Sequence, residues 1–203
     1  MKIIIPLASS DLEIFQNYSK IKPLVKLGSK TMIETFVKNF DLNYEFIFLC
    51  RQEDLIETNL LNVLQKLKIK KQIVEIKKNT SSVIETVHFA KKYVKSNESI
   101  LICHQDCINV FFSKNDLTKN LKKPNSDGLL FAFDGEHQTN TSETHTGRVL
   151  IINDEVIEII EKTIKTKNSK TLAGMYHFSK WGDFLRYSKK TYENQLPVNG
   201  RYF

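Results

Sequence analysis

Apolar residues follow two rhythms along this 203-residue chain. Short unbroken runs rich in β-branched side chains, 2-KIIIPLA-8, 45-EFIFLC-50, 72-QIVEIK-77 and 99-SILICHQ-105, predict strands, the first of them buried on both faces. Between them the spacing turns helical. The stretch 30-KTMIETFVKNF-40 places Met32, Ile33, Phe36, Val37 and Phe40 on one face. The stretch 52-QEDLIETNLLNVLQKL-67 opens on acids and closes on lysine, and 82-SVIETVHFAKKYV-94 supplies a third helix. Strand and helix alternating in units of this size predict an α/β fold, a mostly parallel sheet with helices on both faces.

After residue 127 the pattern changes. The runs 128-GLLFAFD-134, 147-GRVLIIND-154 and 155-EVIEIIEK-162 are strand-like and close together, which predicts antiparallel pairing. A further strand, 171-TLAGMYHFS-179, leads into a helix at 181-WGDFLRYSKKTYEN-194. The stretch 135-GEHQTNTSETHT-146 has no apolar residue and reads as a loop. No internal repeat or low-complexity linker interrupts the chain.

Composition narrows the function. A length of 203 residues with 41% hydrophobic content supports one sizeable core. The net charge of +7, from 30 Lys+Arg against 23 Asp+Glu, is spread along the chain as lysine. The densest basic runs, 66-KLKIKK-71 and 119-KNLKK-123, carry no interleaved aromatics, which argues against nucleic acid and leaves a polyanionic small molecule as the natural partner. Cys50, Cys103 and Cys107 form no CxxC pair, as expected in a reducing compartment. Pro6 and Asp11 cut short any signal-like apolar run, and no run is long enough to span a membrane, so a cytoplasmic protein is expected.

In open α/β sheets ligands sit beyond the carboxyl ends of the strands. That rule selects the loop after Ala8, the loop after Lys77, the 103-CHQDC-107 corner and the loop holding Glu161 and Lys162. Asp106 at the corner suits a divalent metal bridging phosphates, and equally suits a turn or helix cap. Cys103, His104 and Cys107 are too few and too crowded for a zinc motif, and neighbours on a strand point to opposite faces, which disfavours a Cys–His catalytic pair. Lys22, which precedes Pro23, is expected on extended backbone, either as a point charge for phosphate or as a solvated lysine. Glu161–Lys162 is a charged strand end, or an acid for hydroxyls beside a base for phosphate. Trp181, Phe184 and Tyr187 read as a packed helix face, His177 as a packed histidine, and His137 and His145 as solvated loop residues.

The order of these signals resembles the sugar nucleotidylyltransferases. The segments 3-IIIPLA-8, 22-KPLVKLGSKTMIE-34, 101-LICHQDC-107, 161-EK-162 and 173-AGMYHFSKWGDF-184 follow that family's order along almost the whole chain, most like the bacterial group near capsule and lipopolysaccharide genes. The resemblance implies a Rossmann-like three-layer α/β/α fold with a mostly parallel mixed sheet, in one domain. Residues 1–127 would form the nucleotide-binding half and 128–203 the acceptor-binding half. It implies transfer of a nucleoside monophosphate from a nucleoside triphosphate to a phosphorylated sugar or similar small metabolite, with Mg²⁺ as cofactor and room for a homo-oligomer. Leu7, Ala8, Ser9, Ser10, Lys22, Ser81 and Ser82 would face the nucleotide. Lys22 and Asp106 would be catalytic, Asp106 as metal ligand, and Glu161, Lys162 and Gly174 would face the acceptor.

Three departures stand out. The family's Gly-x-Gly-Ser/Thr-Arg loop is replaced here, with Ser9 and Asp11 at the glycines and Glu13 near the arginine, so carboxylates stand where a triphosphate would lie. The stretch 79-NTSSVIET-86 replaces glycine and small residues beside the base. The family's second metal-binding acid, on a later strand, has no counterpart before 199-NGRYF-203, so either the chain is truncated or that site is absent. These departures keep a second expectation open, a catalytically degenerate relative that binds a ligand or partner subunit. A glycosyltransferase would want an Asp-x-Asp motif, and none is present.

Overall fold

The computed structural model describes residues 1–8, 21–106, 114–121, 126–135, 147–153, 155–160 and 169–194. Its centre is set by the unbroken apolar runs. Strand β1 (Lys2–Pro6) pairs in parallel with β4 (Glu45–Arg51) on one side and β6 (Ile100–Cys103) on the other, and β5 (Lys70–Ile76) extends the parallel block beyond β4. No alternation is visible in β1, β4 and β6 because both faces are covered, whereas the edge strand β5 alternates exposed and buried positions. Ile3, Ile5, Phe46, Phe48 and Cys50 face one apolar layer, while Ile4, Ile47 and Leu49 face the other.

Helices supply both layers. The first is built by α1 (Met32–Val37), through Ile33, Phe36 and Val37, by α3 (Leu60–Lys66), through Leu60 and Leu64, and by Leu117 of α5 (Lys114–Leu121). The second is built by Val87 of α4 (Val83–His88), by Ala90 in the 3₁₀ turn Phe89–Lys92 that follows, and by Trp181 and Phe184 of α6 (Trp181–Asn194). The three-layer α/β/α expectation holds.

Two helices differ from the sequence reading at their ends. Lys30 and Thr31 are not helical but form β3 (Lys30–Thr31), paired with β2 (Lys26–Leu27) around Gly28, whose φ of 65° lies in the region that favours glycine. Thr31 then caps α1 in a capping box with Glu34. The helix expected over 52–67 is two, α2 (Gln52–Glu57) and α3, because Thr58 is extended and ends the first.

The antiparallel half is organised by one long strand, β10 (Ser169–Phe178). Thr171 pairs with both Phe133 of β7 (Gly128–Phe133) and Arg148 of β8 (Arg148–Ile152), and Tyr176 pairs with both Leu130 of β7 and Ile102 of β6. A residue has only two edges, so β7 runs along one edge of β10 while β8 and β6 share the other, end to end. The expected hairpin of β8 with β9 (Glu155–Ile160) is present. The 128–134 strand is antiparallel, as expected, and its partner is β10, which is long enough to be flanked by both β7 and β8.

Candidate active site

Chain order reverses between β1 and β6. From β1 the chain moves outward to β4 and β5, then returns across β1 to β6. Their carboxyl ends therefore diverge into different connections, which opens a crevice at the ends of β1 and β6.

Lys22 reaches this crevice from a compact turn. Ile21 is extended and buried, and Lys22–Leu24 form one 3₁₀ turn in which the Leu24 amide donates to the Ile21 carbonyl at 3.2 Å and the Val25 amide to the Lys22 carbonyl at 3.1 Å. Pro23 fits because a helix's first amides have no internal acceptor to lose. The extended backbone expected at Lys22 lies one residue earlier, at Ile21, because those two turn bonds require Lys22 to enter the turn.

The Lys22 ammonium donates to Asp106 Oδ2 at 2.5 Å, joining residues 84 apart in sequence. Asp106 sits three residues past β6, with its side chain 39% exposed, so the pair lies at the rim and not in the core. Burial pushes the Asp106 carboxyl up, but the charge and hydrogen bond of Lys22, with a smaller contribution from His104, outweigh it and hold the group below the ordinary aspartate range.

Gly174 arrives at the same corner. Between Leu172 and Tyr176 the pairing of β10 with β7 shifts register, and within that irregularity Gly174 takes a φ of 69°. Its carbonyl accepts from the His104 amide at 3.0 Å, two residues before Asp106. A side chain in this backbone conformation would be strained, which accounts for glycine here. His104 turns its ring toward Tyr176, 6.2 Å between centroids, while Cys103 is buried in the opposite layer, so the two do not form a pair.

The remaining predicted positions divide. The Leu7 side chain is buried and its amide donates to the Leu49 carbonyl at 2.8 Å, with half-buried Ala8 beyond it at the strand's end. Ser82 caps α4, accepting from the Glu85 amide at 3.1 Å and bonding the Tyr192 hydroxyl at 3.1 Å. The amide and hydroxyl of Ser81 both donate to Glu85 Oε2, and Lys78 meets Glu85 Oε1 at 2.6 Å. The Lys78 hydrogen bond, followed by those of Ser81, holds the Glu85 carboxyl down at about 2. The loop after β5 is thus a rigid, capped entry to α4. Ser9, Ser10, Glu161 and Lys162 lie outside the described residues, as do Asp11, Glu13, Cys107, His137, His145 and the chain end.

Trp181 and Phe184 are core residues as expected, stacked at 4.9 Å, but Tyr187 is not. It is 47% exposed and carries the Arg186 guanidinium 4.7 Å from its ring centroid. His177 is buried and bonds Ser99 Oγ at 2.8 Å.

Two rim residues escape a sequence reading. Gln105 is buried beside Asp106, and its Oε1 has no hydrogen-bond partner among the described residues. A buried amide oxygen without a donor is uncommon, yet nothing in the run 101-LICHQDC-107 distinguishes it from a solvated corner glutamine. Arg51, at the carboxyl end of β4, holds buried Asp54 through Nε and Nη2 at 2.9 and 2.8 Å. Its Arg-x-x-Asp spacing at a strand-to-helix junction was the available signal.

Solved structures share this architecture. A nucleoside-diphosphate-sugar pyrophosphorylase from Vibrio cholerae RC9 superposes with a TM-score of 0.68 at 22% identity, over 96% of this chain and 79% of that one. The inositol-1-phosphate CTP transferase from T. maritima gives 0.67 at 13% identity, over 96% and 76%. A putative glucose-1-phosphate thymidylyltransferase from Bacillus anthracis, in complex with a sucrose, gives 0.64 at 19% identity, over 92% and 74%. The chain shares the Rossmann-like α/β fold of these proteins. No family model and no curated protein matches the sequence itself. Among the described residues no helix is long and apolar enough to cross a membrane.

Proposed function

We propose that the protein is a nucleotidyltransferase that moves a nucleoside monophosphate from a nucleoside triphosphate to a phosphorylated sugar or similar small metabolite, in the cytoplasm, for surface-polysaccharide synthesis. The observation that carries this reading is the meeting of Lys22 with Asp106 at the crevice where chain order reverses, on a fold shared with proteins described as performing such transfers. Residues 1–127 serve the nucleotide and 128–203 the acceptor.

A Mg²⁺ ion fits this corner by its donor chemistry. Among the described residues no three metal-binding side chains gather, but Mg²⁺ on a nucleotide is ordinarily held by one or two carboxylates plus phosphate oxygens, and Asp106 presents a partly exposed carboxylate. When bound, the ion would neutralise phosphate charge and orient the leaving pyrophosphate. The protein's own residues would do the rest. Lys22 neutralises and positions the triphosphate as a point charge. Leu7, Ala8, Ser9, Ser10, Ser81 and Ser82 flank the nucleotide, with the capped start of α4 giving that wall its rigidity. Glu161, Lys162 and the Gly174 bulge hold the acceptor so that its phosphate oxygen attacks the α-phosphorus in line and pyrophosphate departs. Such a reaction depends on positioning and charge stabilisation more than on a strong base.

The test is pyrophosphate release from each of the four nucleoside triphosphates with a panel of sugar 1-phosphates and inositol phosphate. Release that requires both substrates supports the reading. Absence of release with every pair, from a chain that nevertheless binds a triphosphate, would favour the second reading, a binding-only relative. The carboxylates of Asp11 and Glu13, standing at the family's glycine and arginine positions, favour that second reading.

A further inference from the structure

We infer that the Lys22–Asp106 pair is a latch that couples metal binding to triphosphate binding. The inference rests on the nucleotidyltransferase reading and adds to it an interdependence between the two ligands. Each partner of the pair is the group that the other ligand needs: the ammonium for phosphate oxygens, the carboxylate for the cation. At 2.5 Å each group is turned toward the other. The Lys22 side chain is 21% exposed and that of Asp106 39%, so the contact is screened only in part and gives a real preference for the closed arrangement.

A metal-free triphosphate must pull Lys22 from Asp106 and leave a bare carboxylate beside its own charges. A metal without phosphate must take Asp106 and leave the ammonium beside a cation. When both arrive together each displaced group gains its own opposite charge, so each ligand raises the other's affinity by the same factor. The 3₁₀ turn under Lys22 and the Gly174–His104 backbone bond beside Asp106 fix both main chains, which leaves side-chain rotation as the opening motion.

The experiment uses probes that need no knowledge of the base. Inorganic tripolyphosphate in a chelator, and with Mn²⁺, is titrated calorimetrically into the full chain and into Asp106→Asn. In parallel, labelling of the Lys22 amine by an acylating reagent is followed by mass spectrometry. The latch predicts tripolyphosphate binding about threefold to tenfold tighter to Asp106→Asn than to the unaltered chain without metal, the range set by a partly exposed ion pair. Removing a negative charge could tighten anion binding without any latch, so the labelling decides. Lys22 should label severalfold faster in Asp106→Asn, and Mn²⁺ alone should produce the same acceleration in the unaltered chain and none in the variant. A Lys22 labelling rate indifferent to both Asp106→Asn and Mn²⁺ overturns the latch, even where tripolyphosphate binds. Failure of tripolyphosphate to bind either protein, with or without Mn²⁺, overturns the nucleotidyltransferase reading and the latch with it. Should Asp106→Asn not melt cooperatively, Asp106→Ser takes its place under the same criteria.

Discussion

The two halves of the sheet solve burial in opposite ways. In the parallel half, Ile3, Ile4 and Ile5 of β1 and every residue from Phe46 to Cys50 of β4 are fully buried, because helices lie on both faces. In the antiparallel half, β9 leaves Val156 45%, Ile157 56% and Ile159 56% exposed, and β8 buries a charged side chain, Arg148, beside Val149. Its guanidinium donates to Ser169 Oγ and the Ser169 carbonyl, each at 2.8 Å, and to Thr171 Oγ1 at 3.0 Å. The parallel strands are fixed by apolar packing against helices, and Phe131 and Met175 join that core, while β8 and β9 lean on hydrogen bonds and strand pairing. The crevice with Lys22 and Asp106 stands on the parallel half, while the antiparallel half brings Gly174 to it on a bent strand. Under the proposed function, a firmly packed nucleotide half and a less constrained acceptor half would suit one common donor and varied acceptors.

The sharpest way to break the comparison is to truncate a core residue of the parallel half and follow urea unfolding. Phe48→Ala should cost about 3–5 kcal/mol, since its ring is fully buried in the first layer. An effect below about 1 kcal/mol would mean that the parallel half is not the rigid one. Gly174→Ala comes next. Its left-handed backbone predicts a loss of about 1–2 kcal/mol, together with weakened acceptor binding if the bend places the acceptor half.

A smaller effect comes from acid. Burial lowers the pKa of His177 below its usual 6.5, and burial followed by the charge of Lys91 does the same for His88, against a weaker pull from Glu85. The unfolded chain therefore binds more protons just below pH 6.5. These histidines contribute stability that is complete above that pH and is lost as pH falls toward their folded-state values. Protonated His177 would also carry a buried Nδ1–H, and Nδ1 has no hydrogen-bond partner among the described residues. The melting temperature should fall between pH 6.5 and pH 5, and His177→Gln should flatten that slope. An unchanged slope would assign the acid sensitivity elsewhere. Smallest of all, Ile159→Ser on β9 should change stability by no more than about 0.5 kcal/mol. A larger loss would mean that this edge is covered in solution, which would sharpen the comparison into an interface.

The same difference explains what the sequence could tell. Continuous runs such as Phe46–Cys50 announced the parallel strands because burial on both faces leaves no other pattern. The break between α2 and α3 at Thr58 was hidden, since Ile56, Leu60 and Leu64 keep a helical spacing in the sequence across it. The partner of β7 was hidden too, because strand pairing at long sequence separation is set by tertiary geometry, here by the length and bend of β10. At the candidate site, Lys22, Asp106 and Gly174 were legible as separate signals, and their convergence required the fold. Gln105 was not, because a corner glutamine looks like any solvated residue until burial is known, and Arg51 left only its Arg-x-x-Asp spacing as a signal.

The most direct measurement is a thermal-shift series with the four nucleoside triphosphates, with and without Mg²⁺, on the unaltered chain, Lys22→Ala and Asp106→Ala. A ligand bound only by the folded chain stabilises it by about 2.7 kcal/mol at a hundred times its dissociation constant. The predicted result is a Mg²⁺-dependent rise with at least one triphosphate that both substitutions abolish while leaving cooperative melting intact. No rise with any triphosphate, or an equal rise in both variants, would contradict the assignment of this corner as the nucleotide site.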